Sequence, residues 1–356
     1  MGIHSHAVAL LRRFGAVMTR RQLLRLAAGV MLASLMGCAQ TSESQLSATV
    51  FNFDTVCTIG GSMTQEVLDE ACALCGTFEQ LFSRTIATSD VGRINAAAGE
   101  AVEVDPRTAD VIRRSLAYSE ESDGLFDITI GSVSELWDFT EGIVPGEQAV
   151  ADALKHVGWQ NVHVEGATVR LVDPLARIDL GGIAKGYIAD AVVDLLRERG
   201  ITSASVNLGG NVVVLGTKLD GSPWGVGVRD PDDPSGANVI ARVGVTDGSV
   251  VTSGLYERSF ERHGRRYWHI LDPRTGYPVE TDVVSASIYS ERSIDGDGCT
   301  KPLFMWGVSE SLHRLEQKPQ LQALLVTRDG AICTTPASDF EILGSDRNPT
   351  EREGAS

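Results

Sequence analysis

The sequence predicts an α+β protein in which antiparallel-rich sheets are packed with helices. Most of its strand-like runs are short and are punctuated by Gly, Pro and Asp, as is usual in antiparallel sheets. Strands and helices do not alternate strictly along the chain, which argues against a doubly wound parallel sheet. Apolar residues make up 43% and charged residues 22% of the 356 residues, so intrinsic disorder is excluded over most of the chain.

Residues 1–37 are predicted to be an export signal that is removed. They contain five Arg, no Lys and no acidic residue, and the pair Arg20–Arg21 precedes an apolar stretch over 26–36. That stretch is too short to span a bilayer but has the length of a signal-peptide core. The Arg pair resembles a twin-arginine signal, and Leu35–Cys38 resembles a lipoprotein processing box in which Cys38 is lipidated. An ordinary signal peptide with a chance cysteine is the alternative.

The mature protein is therefore predicted to hang from the extracytoplasmic face of the cell membrane by a lipid anchor, without spanning it. Residues 38–47 form a polar tether, 48–344 a single domain and 345–356 a polar tail. Without the leader, 26 basic residues stand against 47 acidic ones, a net charge of about −21. Such a charge repels polyanions and argues against nucleic acid as a partner, but a local basic pocket can still hold a small anion.

The first elements of the domain are a strand over 50–59 and a helix over 65–82. A helix over 106–122 is capped by Asp105 and begins with Pro106, and a third helix runs over 182–199 and stops at Gly200. Strands are predicted over 162–164, 169–172, 205–208, 212–215, 225–228, 239–245, 267–271 and 283–288. A helix over 302–316 precedes a closing hairpin, 321–327 with 331–334, that turns at Asp329–Gly330.

The pair Cys72 and Cys75 has the spacing of a redox or metal motif. Both cysteines, however, fall on the apolar stripe of the helix over 65–82, so buried structural thiols are the better interpretation. No second CxxC and no His pair completes a zinc site.

Two Gly-rich segments suggest an anion site. In 177–187 a strand is predicted to enter the turn Gly181–Gly182 where a helix begins, and bare N–H groups at a helix start attract phosphate. Lys185 adds a charge in the first turn, and Asp179 before the turn can accept hydrogen bonds from a ligand. Tight packing is the alternative explanation of the Gly pair. The second segment, 207–211, is equally compatible with a plain connecting turn.

Two further segments suggest a base and a cation. His269 lies near the end of a strand before the rigid turn 272–278, where a histidine can act as a general base, although a structural role is the alternative. Asp295 and Asp297 near a helix start suit Mg²⁺ or Ca²⁺, although an acidic surface turn explains them equally well. Thr252–Gly254 is predicted to be a turn that offers hydroxyl groups.

Taken together, six motifs resemble the ApbE family of FAD:protein FMN transferases, from about Phe53 to about Gly307. In order they are Asp54–Thr55, Gly124–Thr129 with Trp137, Asp179–Gly186, Asn207–Asn211, Thr252–Gly254 and His269–Pro278. The family's members are similar in being exported and often lipid-anchored, in agreement with the predicted leader. The resemblance makes residues 48–344 an FAD-binding flavin transferase domain of ApbE-type, T-fold-like architecture.

The resemblance implies that FMN from FAD is transferred, with Mg²⁺, to a Thr or Ser hydroxyl of an exported acceptor protein, and that AMP is released. His269 would be the base on that hydroxyl. The Gly182 carbonyl and Asp297 would hold Mg²⁺. The implied FAD contacts are Phe53, Gly124, Leu125, Phe126, Asp127, Asp179, Lys185, Ser253 and Leu271. FAD hydrolysis to FMN and AMP, and a surface FAD-binding lipoprotein without turnover, are the alternatives.

One position departs from the family pattern. The family has Thr four residues after the metal-binding Asp, and here that position is Lys301, with Thr300 one residue early. Three outcomes follow. Thr300 can serve after a shift of the helix start, water can replace the missing ligand, or the Lys301 ammonium can take part of the metal's electrostatic role. Retained Mg²⁺ binding, with Thr300 or Lys301 at the metal, is the prediction.

Overall fold

A computed structural model of the protein describes residues 45–233 and 235–343. The predicted leader, the lipidation site Cys38, most of the tether and the tail over 345–356 lie outside the described residues. In the part that the structure describes, no helix is long and apolar enough to cross a membrane.

The strands and helices are numbered in chain order. The strands are β1 (Gln45–Asn52), β2 (Thr55–Ser62), β3 (Val102–Glu103), β4 (Val162–Glu165), β5 (Thr168–Leu171), β6 (Ala204–Leu208), β7 (Asn211–Leu215), β8 (Trp224–Arg229), β9 (Val239–Val245), β10 (Gly248–Gly254), β11 (Ser259–Arg262), β12 (Arg265–Trp268), β13 (Val283–Ser290), β14 (Gln322–Thr327), β15 (Ile332–Thr334) and β16 (Glu341–Ile342). The helices are α1 (Gln65–Phe82), α2 (Asp90–Ala96), α3 (Pro106–Glu121), α4 (Gly131–Ser134), α5 (Glu147–Leu154), α6 (Ala184–Glu198) and α7 (Ser293–Glu316).

An eight-stranded sheet in the order β1-β2-β6-β7-β10-β13-β14-β15 organises the fold. Every neighbouring pair in it is antiparallel. Smaller sheets are β16-β9-β8, β3-β5-β4 and β11-β12. The helices and antiparallel sheets confirm the predicted α+β class.

Separate apolar clusters cover the large sheet. One buries α1, α3 and α6 against β2, β6 and β7, with Phe78, Ile188 and Val206 at its centre. A second packs α7 on β13 and β14 through Leu303 and Phe304. A third joins the sheet of β8 and β9 to residues of β10 and β14. The starts of α6 and α7 contact each other directly, because the Gly186 N–H of α6 donates to Asp297 of α7.

Several predicted elements are confirmed with nearly the predicted bounds. The helix over 65–82 is α1, and Asp105 caps α3 by accepting from the Arg107 N–H. The closing hairpin is β14 with β15. Cys75 is fully buried and Cys72 half-buried on α1, both as free thiols. Burial raises the pKa of Cys75 to about 12, which is the property of a structural thiol.

Other predictions were wrong at their boundaries. The single strand over 50–59 is a hairpin of β1 and β2, because Phe53 and Asp54 adopt positive φ values and reverse the chain. β1 begins at Gln45, so the last three residues of the predicted tether belong to a strand. Thr252–Gly254 ends the strand β10 and is not a turn.

The helix predicted over 302–316 begins nine residues earlier, at Ser293. The reason lies outside that segment. The carboxylate of Asp190, on α6, accepts hydrogen bonds from the N–H groups of Ser293 at 2.8 Å and Ile294 at 3.0 Å and so caps α7. Asp297, Thr300 and Lys301 therefore lie in a helix and not in an acidic surface turn. Gly307, at φ 72°, interrupts that helix.

Candidate functional site

The turn between β1 and β2 fixes Phe53. Its φ of 56°, followed by 55° at Asp54, reverses the chain in two residues. Glu79 of α1 accepts a hydrogen bond from the Phe53 N–H at 3.4 Å. The β6–β7 turn reaches the same place, since a Cβ on Gly209 would lie 2.3 Å from Thr55 Oγ1. A side chain at Gly209 would therefore separate two of the six family motifs.

Both carboxylate oxygens of Asp127 accept hydrogen bonds from within the protein. Its Oδ1 accepts from the Thr129 N–H at 2.7 Å and hydroxyl at 2.6 Å, and Oδ2 accepts from the Trp159 N–H at 2.9 Å. Burial raises the pKa of Asp127, although these hydrogen bonds oppose the rise. The side chain thus shapes the loop that it belongs to, and its predicted contact with FAD stays a prediction.

The loop of Gly124, Leu125 and Phe126 packs against the Gly181–Gly182 turn. Gly124 has a φ of 80°, and Leu125 and Phe126 are buried. A Cβ on Gly182 would lie 3.3 Å from the Phe126 ring and 3.8 Å from Cε of Lys301. The structure therefore brings predicted FAD contacts and predicted metal ligands to one place.

Asp179 holds the turn that leads into α6. Its Oδ1 accepts from the Gly181 N–H at 2.8 Å, and its Oδ2 receives the Ser134 hydroxyl at 3.1 Å and pairs with Arg84 Nε at 3.2 Å. Residues 177–180, directly before this turn, do not form a strand, contrary to the prediction. The helix begins at Ala184, and Lys185 does stand in its first turn, as predicted.

Asp297 and Lys301 form a buried ion pair on α7. Lys301 Nζ lies 2.7 Å from Asp297 Oδ1 and 3.2 Å from the Asp297 carbonyl oxygen. The other carboxylate oxygen, Oδ2, accepts from the Gly186 N–H at 2.7 Å. Burial by itself would raise the pKa of Asp297, but the ammonium groups of Lys301 and Lys185 outweigh it and hold that pKa below its ordinary value.

The predicted magnesium ligands do not fit a metal ion. Both carboxylate oxygens of Asp297 already accept hydrogen bonds, one of them from a cation. Thr300 is fully buried, and its Oγ1 accepts from the Ser253 hydroxyl at 3.0 Å and donates to the Asp297 carbonyl at 3.3 Å. Thr300 and Ser253 thus tie α7 to β10. An ammonium lies where the resemblance implies Mg²⁺.

His269 directly follows β12 and so lies at the end of a strand, before the turn, as predicted, but the strand predicted over 267–271 already ends at Trp268. Its N–H donates to the Arg258 carbonyl at 3.1 Å, and its ring atom Nδ1 is buried without a hydrogen-bond partner among the described residues. Burial, together with the charges of Arg258, Lys185 and Lys301, lowers the pKa of His269 to about 3. The imidazole is therefore neutral at physiological pH, and it is a weak base as long as these positive charges are not offset.

Leu271 belongs to a different packing unit. Its side chain is buried in an apolar cluster with Val133, Trp137 and Val150, and its backbone bridges to Pro278. The indole N–H of Trp137 donates to the Gly276 carbonyl at 3.2 Å, which ties this cluster to the turn after His269. Only the backbone of Leu271 is thus compatible with the predicted FAD contact.

Two residues near the site were not singled out from the sequence. Glu257 is 26% exposed at its side chain, pairs with Arg229 at 3.2 Å, and has its pKa raised by burial, although Lys185, Arg229 and Lys301 lower it. Arg258 places His269 through its carbonyl and adds positive charge. Both residues follow Tyr256, shortly after β10. Two adjacent charged residues next to a Gly-containing strand are the sequence signal that could have predicted them.

Comparisons with known proteins agree with this architecture. A model of the ApbE family matches residues 47–325. The chain is 38% identical over 280 residues to the FAD:protein FMN transferase of Treponema pallidum, which covers 74% of this chain and 77% of the relative. It is also 38% identical over 271 residues to an FAD:protein FMN transferase of Klebsiella pneumoniae, and the match covers 73% of this chain and 84% of the relative.

Solved structures agree as well. The ApbE protein of Thermotoga maritima has 32% sequence identity and a TM-score of 0.75, over 82% of this chain and 97% of that one. The Pseudomonas stutzeri flavinyl transferase ApbE has 26% identity and a TM-score of 0.72, over 83% and 95%. With the six motifs gathered around α6, α7 and the His269 loop, these likenesses show that the chain belongs to the ApbE family.

Proposed function

We propose that this protein is an FAD:protein FMN transferase, which moves the FMN half of FAD to a Thr or Ser hydroxyl of an exported protein. The observation that carries the proposal is the neutral, buried imidazole of His269 beside the cations Lys185, Lys301 and Arg258. A base and a cluster of positive charge are the two elements that transfer at a pyrophosphate needs.

In the proposed reaction, the acceptor oxygen forms a bond to the phosphorus of the FMN half. The bond from that phosphorus to the bridging oxygen breaks, and the electron pair leaves with AMP. The hydroxyl proton goes to His269. Positioning and charge neutralisation supply most of the acceleration in such phosphoryl-type transfers.

The low pKa of His269 links the base to the substrate. The same cations that lower it are the groups available to a pyrophosphate, which carries negative charge. Bound FAD therefore offsets their effect and raises the pKa of His269 toward the range in which a base works well. In this way His269 becomes an effective base only when FAD is in place.

The magnesium requirement implied by the family stays a prediction, and the reaction above has no step through Mg²⁺. Export and anchoring belong to the proposal too. The support for them is the Arg20–Arg21 pair, the apolar stretch after it and Cys38. Replacement of Cys38 by Ala should release the protein from the membrane fraction, and persistence of the variant in washed membranes would contradict the lipid anchor.

The transfer is tested by incubating the purified protein and FAD with a membrane fraction from the same organism. We expect a protein band that keeps flavin fluorescence in a denaturing gel, and an FMN adduct on a Thr or Ser peptide by mass spectrometry. Free FMN and AMP without an adduct would indicate hydrolysis instead. FAD that is bound and unchanged would indicate a binding protein without turnover.

A further inference from the structure

The residues that meet at the start of α7 lead to an inference that rests on the proposed function. Lys301 lies one helical turn after Asp297, and its Nζ is 2.7 Å from the carboxylate. The Lys301 side chain is 17% exposed, whereas that of Asp297 is 1% exposed. The pair is thus anchored in the interior at Asp297, and the Lys301 side chain is the more exposed of its two members.

The position of the ammonium suits a phosphate. An ammonium has three protons, and two of them point to the Asp297 carboxylate and carbonyl oxygens, which leaves one for a ligand. Cε of Lys301 lies 3.8 Å from the point where a Cβ on Gly182 would stand, so the side chain borders the Gly-rich turn at the start of α6. Lys185 of that helix adds a second positive charge.

The same position of the Lys301 ammonium disfavours a divalent cation at Asp297. A metal ion on Asp297 Oδ1 would have to displace the ammonium or share an oxygen with it, and two cations that close repel strongly. Oδ2 is used by the Gly186 N–H at 2.7 Å. Gly186 itself is fixed, because a Cβ there would lie 2.6 Å from the Ser293 carbonyl oxygen, so the contact of α6 with α7 holds that N–H in place.

We propose that the Lys301 ammonium, held by Asp297, replaces the divalent cation at the FAD pyrophosphate, so that this protein cleaves FAD without a metal ion. Lys301 acts as a fixed charge and exchanges no proton in the transfer. Asp297 is then a positioning residue for Lys301 and not a metal ligand. One positive charge replaces two, so Lys185 and Arg258 carry a larger share of the neutralisation.

The first test compares FAD cleavage in EDTA and in excess Mg²⁺, for the wild type and for Lys301→Thr. We expect the wild-type rate to differ by less than about twofold between the two conditions. In EDTA, the rate of FAD cleavage by Lys301→Thr should be roughly 10²-fold below that of the wild type, as expected for loss of one stabilising group. Mg²⁺ should raise the rate of this variant by at least about tenfold. A wild-type rate that falls by more than about tenfold in EDTA would overturn the proposal.

The second test does not depend on turnover. FAD affinity is measured by flavin fluorescence in a His269→Ala background, with and without the Lys301→Thr change. Mg²⁺ should leave the affinity unchanged when Lys301 is present and should raise it when Thr is present. Equal strengthening by Mg²⁺ in both proteins would refute the proposal. Lys155→Thr, at an exposed pair with Asp152, is the matched control and should behave as the parent protein.

The two tests also separate this proposal from the proposed function. If no variant cleaves FAD in any condition, the transferase assignment fails, but the affinity measurement still decides whether Lys301 excludes the metal. If FAD is cleaved only with Mg²⁺, the transferase assignment stands and Lys301 does not replace the divalent cation.

Discussion

Two sides of the site satisfy their polar groups in opposite ways. On the lysine side, formed by Gly186, Asp297 and Lys301, every carboxylate oxygen has a partner within the protein. On the histidine side, formed by Arg258 and His269, the ring atom Nδ1 is buried without one among the described residues. The fold pre-organises the first side, whereas the second keeps an unpaired group, which costs stability and is typical of a functional site.

The largest effect is expected from His269→Ala on the histidine side. If the unpaired imidazole is the base, transfer from FAD should fall by roughly 10²–10⁴-fold, the usual contribution of a general base. FAD affinity should change little, because the cations that face the pyrophosphate remain. For the variant and the wild type, the rate of adduct formation is measured from the mass of the acceptor protein, and FAD affinity is measured by flavin fluorescence. Normal transfer by this variant would remove His269 from the chemistry.

Asp297→Ala is expected to show the next largest effect, on stability. The change removes the carboxylate that pairs with the Lys301 ammonium and accepts from the Gly186 N–H, and breaking a buried pair costs about 3–5 kcal/mol. Urea unfolding measures the loss. Asp152→Ala, which breaks the exposed pair with Lys155, is the control and should leave the free energy of unfolding nearly unchanged, because solvent screens an exposed pair. Similar losses in both variants would mean that the lysine side is not pre-organised by this pair.

A smaller effect is expected from Asp127→Ala, which lies on neither side. Three donors, from Thr129 and Trp159, lose their acceptor, and an unsatisfied buried group costs about 1–3 kcal/mol. Thermal unfolding in the absence of FAD reports this loss. If stability is unchanged and only FAD affinity falls, then Asp127 acts as a ligand contact, as the family resemblance implies, rather than as a loop cap.

The smallest effect is expected from pH on the free enzyme. With a pKa of about 3, His269 stays neutral down to about pH 4, so kcat/KM for FAD should be flat from pH 8 to pH 5 as far as this group is concerned. In kcat, which reports the FAD complex, the acidic fall should come at higher pH, because bound pyrophosphate raises that pKa. A fall in kcat/KM centred near pH 6.5 would show an unperturbed histidine.

The same shift affects folding stability. The folded pKa of His269 lies below the unfolded value of about 6.5, so the unfolded chain binds the proton first as the pH falls. The stability contributed by the neutral histidine is therefore present above pH 6.5 and is lost as the pH falls toward 3. Urea unfolding of the His269→Gln variant, compared with the wild type over this range, should lack that component.

Local patterns along the chain were sufficient to predict the fold class, the helices α1 and α3, the closing hairpin and the family. These patterns are apolar residues at helical spacing, caps such as Asp105, and turn residues such as Asp329–Gly330. The six motifs were also sufficient to predict segments that the structure brings into contact, such as Gly124–Phe126 with Gly182 and Thr55 with Gly209.

What those segments do to one another depends on tertiary contacts. The start of α7 depends on Asp190, which is 103 residues from Ser293 in the chain, so local pattern placed that start too late. The hydrogen bond of Asp297 with Gly186 depends on the packing of α6 on α7, and it leaves the other carboxylate oxygen to pair with Lys301. The low pKa of His269 depends on burial and on cations from three separate segments. Burial, pairing and electrostatic field are properties of contacts between distant residues, and no spacing along the chain encodes them.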